Sequence, residues 1–128
     1  MAKNQKPKAG YVDGYVLPVL KKKMNIYRGM AKIGAKMWKK YGALDYKECV
    51  ADDLNTKWGI PLSKPFKLKP GETLIFSYIV FKSRKHRDSV NAKVMKEMMA
   101  DSNMKDMPMP FDMKRMAYGG FKILVDGN

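Results

Sequence analysis

Residues 72–81 read ETLIFSYIVF, ten positions with a single charge, at the first, and neither Gly nor Pro. Thr73, Ile75, Ile79 and Val80 are β-branched and Phe76, Tyr78 and Phe81 aromatic, the residue types that fit a pleated, packed surface. Alternation sends Phe76, Tyr78 and Val80 to one side and Ile75, Ser77, Ile79 and Phe81 to the other. Both sides are therefore apolar, which predicts a central strand with both faces covered.

The remaining segments arrange themselves around that strand. YVDGYVLPVL (residues 11–20) is a β-prone run expected to stop at Pro18. Between Lys21 and Tyr41, the positions Tyr27, Met30, Gly34, Met37, Trp38 and Tyr41 recur at spacings of three and four, an amphipathic helix that Gly42 should end. ALDYKECVA (43–51) alternates as a strand and puts Glu48 on its more apolar side. Residues 52–71 hold three prolines and no sustained period, a long connection with a short strand expected near Phe66. A second helix starts at the N-cap Ser83 and runs to about Ala100, with Asn91, Val94, Met95 and Met98 on its apolar stripe. The last strand follows in RMAYGGFKILVDG, where Gly119 and Gly120 mark a bulge or a close approach.

The order β-α-β-β-α-β gives an α+β, ferredoxin-like fold with a four-stranded antiparallel sheet. A basic tail at 1–9 is expected to be disordered, with one domain over 10–128, a normal size for a single core. Two helices cover only one sheet face, and the uncovered apolar face predicts a homodimer packed sheet to sheet. No segment reaches the roughly 20 apolar residues of a membrane span, and the N-terminal MAKNQKPKAG lacks the apolar core of a secretory signal. A cytoplasmic location is expected.

YVDGYVLPV, GALDYKECVADD, KPGETLIFSYIVFKSRKHRDSVNAKVM and MPFDMKRMAYGGFKILVDG, spread from about residue 10 to the end, resemble the YbaA-like family of uncharacterised bacterial proteins. That family is similar to the dimeric α/β-barrel superfamily, which includes cofactor-independent monooxygenases, haem-dependent enzymes and proteins without known activity. The resemblance implies a dimeric α/β barrel and leaves the chemistry open, since one fold hosts many functions.

Function is narrowed chiefly by exclusion. His86 is the only histidine and Cys49 the only cysteine, expected to be buried on its strand. With one histidine there is no second imidazole and no recognisable nucleophile–His–acid set, and one cysteine allows neither a disulfide nor a cysteine-cluster zinc site within one chain. Residues 104–121 hold five of the twelve methionines, read as packing beneath a loop rather than as a copper site. No metal, haem or other cofactor is expected.

A cleft between helices and sheet is the candidate site for a small organic ligand, with Trp38, Glu48, Tyr78, Asn91, Asp112 and Arg115 as its residues. Trp38 and Asn91 lie on the apolar helix stripes, and a buried amide needs partners, for which Tyr15, Glu48 or Tyr78 are placed. Asp112 and Arg115 are expected to form an ion pair that fixes a loop or a pocket mouth. The alternative is non-specific polyanion binding. Net charge is +14, and Arg28, Lys32, Lys36, Lys39 and Lys40 recur on one helix face. With 22 Lys against 4 Arg and no RNA-binding motif, nucleic-acid binding would be weak and non-specific.

Overall fold

The computed structural model describes residues 8–101, 103, 106 and 108–128. Of the expected tail, residues 1–7 lie outside the described residues, as do Met104 and Met107 of the methionine-rich segment. The elements are β1 (Tyr11–Leu20), a 3-10 turn (Lys21–Lys23), α1 (Met24–Lys40), β2 (Asp45–Val50), β3 (Glu72–Phe81), α2 (Arg84–Ala100), a second 3-10 turn (Met113–Arg115) and β4 (Ala117–Lys122).

The sheet runs β2-β3-β1-β4 with every pair antiparallel, the ferredoxin-like order. β3 is central, paired with β1 from Phe81↔Tyr11 to Glu72↔Leu20, as its two apolar faces require. Pro18 does not end β1. It lies past Val16↔Ala117, the last pair with β4, where β1 is an edge on that side and a missing N–H is tolerated. No strand forms near Phe66, because residues 62–67 are turns, closed by Lys64 N–H to Pro61 O and Lys67 N–H to Lys64 O.

α1 buries Tyr27, Ala31 and Met37, and Gly42, at φ +108°, takes the chain out of the helix in a conformation other residues resist. α2 begins at Ser83, whose hydroxyl accepts the His86 N–H at 3.0 Å. Its inward face is centred on Val90 and Val94, while Met95 is half exposed, a correction to the stripe expected from spacing. α2 packs on Phe81 and Ile79, and this docking rotates Met95 outward. Two core clusters result. One joins α2 to Phe81, Ile79 and Met37; the other joins Tyr27 and Ala31 to Leu17, Val19 and Ile75. Tyr15 touches both.

The opposite sheet face carries no helix. Phe76 and Phe121 are exposed there, and Cys49 is exposed beside Phe76 rather than buried, because β2 is an edge strand whose odd positions face outward. Gly120 forms no bulge; it pairs with Asp13, and a Cβ there would sit 2.2 Å from the Tyr11 hydroxyl, so the close approach is by a side chain. Among the described residues, no helix is long and apolar enough to cross a membrane.

Candidate functional site

The seam between the two clusters opens into a cavity of about 210 Å³. Its floor is the helix-facing side of the sheet: Tyr15 and Leu17 from β1, Ser77 and Ile79 from β3, Tyr46 and Glu48 from β2. α1 supplies one wall through Met30, Ile33, Gly34, Met37 and Trp38. Met98 of α2 and Met109, Phe111 and Met116 of the following loop close the rest. Five methionines thus line one space, and flexible thioethers suit an irregular apolar wall.

Glu48 is the one charged residue of this lining, which has no Lys, Arg, His or Cys. Its carboxylate is held from two elements. Tyr27 of α1 donates its hydroxyl to Oε1 and Tyr46 of β2 donates to Oε2, each at 2.7 Å. Burial, with the adjacent Glu48 charge, pushes both phenols well above the usual tyrosine range, so they remain donors. Tyr15, on the same floor, is pushed to about 12 by burial and then by Asp13. Gly34 makes room for this arrangement, since a Cβ there would stand 2.9 Å from the Tyr46 hydroxyl. A second groove of about 290 Å³ lies on the other side of α1, with Glu48, Tyr46 and Ala31 common to both.

Behind Trp38 runs a polar brace. The indole N–H donates to Asn91 Oδ1 at 3.0 Å, so the partner of Asn91 is Trp38, across the two helices, rather than Tyr15, Glu48 or Tyr78. On β1, Asp13 is only 3% exposed, and its Oδ1 accepts from Arg87 Nη1 at 2.8 Å. Arg87 also lies 5.0 Å from the Tyr11 ring centre. Desolvation raises the Asp13 carboxyl despite Arg87 and the nearby Asn91 amide, both of which oppose the rise.

Trp38 and Glu48 therefore line the cavity and Asn91 braces it. The other three expected residues lie elsewhere. Tyr78 is on the opposite sheet face, because strand parity puts Ser77 and Ile79 inward. Asp112 and Arg115 do not pair with each other. Asp112 caps the 3-10 turn by accepting the Lys114 N–H, and the Arg115 guanidinium is taken up by other acceptors. Arg115 reaches back 43 positions to Glu72, at 2.5 and 3.0 Å, and donates to the carbonyls of Phe66 and Lys67. It fixes a loop, but a different one. Sequence reasoning missed Tyr27, Tyr46, Asp13 and Arg87; the spacing of Tyr46 and Glu48 on one strand face was a usable signal for one of them.

The basic stripe is partly occupied. Lys40 pairs with Glu97 of α2 at 2.6 Å, Lys39 donates to the Leu44 carbonyl at 2.9 Å, and Arg28 donates to Asn25 at 3.0 Å. Arg28 and Lys32 line the second groove, which leaves Lys36 as the stripe's simplest solvated member.

Residues 10–113 match the family described as a protein of unknown function, DUF1428. The uncharacterised protein YbaA of Escherichia coli K12 is 40% identical over 118 residues, 91% of this chain and 97% of that one, and YbaA of Shigella flexneri matches equally. A crystal structure of a dimeric ferredoxin-like protein from an uncultured marine organism superposes with a TM-score of 0.57 at 8% identity, over 93% of this chain and 99% of that one. That likeness establishes the ferredoxin-like fold.

Proposed function

We propose that this chain, which belongs to the DUF1428 family of proteins of unknown function, is a cytoplasmic homodimer that holds a small, largely apolar organic molecule between its helices and its sheet. The observation that carries the reading is the methionine- and aromatic-lined cavity with one carboxylate presented at its floor. Ligand pockets are mostly apolar with a few placed polar groups that fix orientation, and this one has that make-up. An apolar cavity of roughly 150 Å³ takes up benzene, so about 210 Å³ matches a substituted single ring. Dimerisation is supported by the uncovered apolar sheet face and by the dimeric description of the structurally similar marine protein. For the polyanion alternative, Lys40 shares its charge with Glu97 and Lys39 donates to the Leu44 carbonyl, so that reading rests chiefly on Arg28, Lys32 and Lys36.

The test uses Trp38 as reporter. Trp58, 88% exposed, is first replaced by Phe so that Trp38 is the only indole left. A screen of quinones and other small aromatics is expected to quench its emission saturably and to raise the melting temperature. Absence of any saturable response across single-ring and bicyclic compounds would refute the cavity as a binding site.

A further inference from the structure

The cavity's charge is unbalanced. Glu48 has no ion pair within 4.0 Å among the described residues; Arg28 and Lys32 share the second groove with it but are not part of this lining. Two tyrosine hydroxyls satisfy one lone pair on each carboxylate oxygen and leave further acceptor capacity on both. Beside it, Trp38 and Tyr46 stand with ring centres 6.0 Å apart and planes tilted by 37°, and Tyr15 lines the same floor. Aromatic faces around a carboxylate attract an organic cation twice over, through the ring quadrupoles and through the charge. An anionic ligand would meet Glu48 and find no donor cation in the lining.

We propose, resting on the cavity reading above, that the ligand is an apolar organic amine, its ammonium directed at Glu48 and its ring or chain among the methionines. The global field of the protein works against this choice. A chain of net charge +14 favours anions at long range, so a preference for amines has to arise locally, at this carboxylate.

Three ligands of one shape decide the matter: 2-phenylethylamine, 2-phenylethanol and phenylacetate, titrated at pH 7.5 by calorimetry and by Trp38 emission. The amine is expected to bind at least tenfold tighter than the alcohol, and phenylacetate more weakly than either. Glu48→Gln should bring the amine-to-alcohol ratio to near one. If the variant does not fold, the ranking in the native chain still decides. Alcohol binding equal to or tighter than amine binding overturns the amine assignment and leaves the apolar cavity standing, as does phenylacetate binding tightest. Failure of all three overturns the amine assignment, and the cavity reading falls with it only if the wider screen of quinones and other small aromatics is also silent.

Discussion

His86 shows how one side chain can set a pH response in a protein with no other histidine. Its Nδ1 accepts the Lys82 N–H at 2.9 Å, and its ring meets Phe81 edge-on. Burial, and then Lys82 and Lys93, lowers its pKa below 6.5. The folded state therefore binds fewer protons than the unfolded chain around and below pH 6.5, and stability is present above that value and lost as pH falls through it. Between pH 7.5 and 5.5 the melting temperature is expected to drop, and to drop less in His86→Asn, which keeps an acceptor but does not titrate. Equal slopes would exclude His86 as the source. Glu72 and Asp13 act at lower pH and in opposite senses. Glu72, lowered by its Arg115 hydrogen bonds, supplies stability above about 4.5 that is lost on acidification; the raised Asp13 favours folding in acid and loses that contribution as pH rises. Arg115→Met should lower the melting temperature by roughly 5 °C, since it also frees the carbonyls of Phe66 and Lys67.

At the level of elements, α2 tests how a helix face is chosen. Val94 is fully buried and Met95, its neighbour, is 52% exposed. Val94→Ala is expected to cost about 2 kcal/mol in chemical denaturation, and Met95→Ala less than about 0.5 kcal/mol. Comparable costs at the two positions would show that α2 docks by the face that spacing alone suggests, which includes both residues. The helix stop at Gly42 and the cap at Ser83 were legible because each depends on residues within a turn or two, whereas the end of β1 was not, since Pro18 is tolerated only because β4 stops pairing before it. The parity that removes Tyr78 from the cavity was also legible, as Ser77 and Ile79 alternate with it on one strand. Arg115 was not: its partner Glu72 is 43 positions away, and a nearer carboxylate, Asp112, offered a false match. Tyr27 and Glu48 meet for the same long-range reason, 21 positions apart. Half of the site was thus readable from periodicity, and the half built by tertiary approach was not.

For the whole molecule, the sheet face without helices is the surface on which the proposed homodimer rests. Phe76, 47% exposed, and Phe121, 61% exposed, flank a surface that continues through Tyr78, Val80, Val12 and Val16, and Leu124 and Val125 extend nearly free beyond β4. Contiguous apolar area of this kind on a chain that otherwise carries 30% charged residues calls for a second surface. Two copies bring together a formal +14 each, and that repulsion opposes what the apolar contact favours. Salt shortens the range of the repulsion, from a Debye length of roughly 30 Å at 0.01 M to about 10 Å at 0.1 M, and leaves apolar burial intact. Light scattering should therefore report about twice the 14.7 kDa chain mass, with dimer dissociation on dilution more pronounced in low salt than in high. Phe76→Lys combined with Phe121→Lys should yield a folded monomer, because both side chains lie outside the two core clusters. A native chain that stays monomeric at every concentration and salt would remove the sheet face as an interface. A dimer that tightens as salt falls would point instead to an interface built from opposite charges.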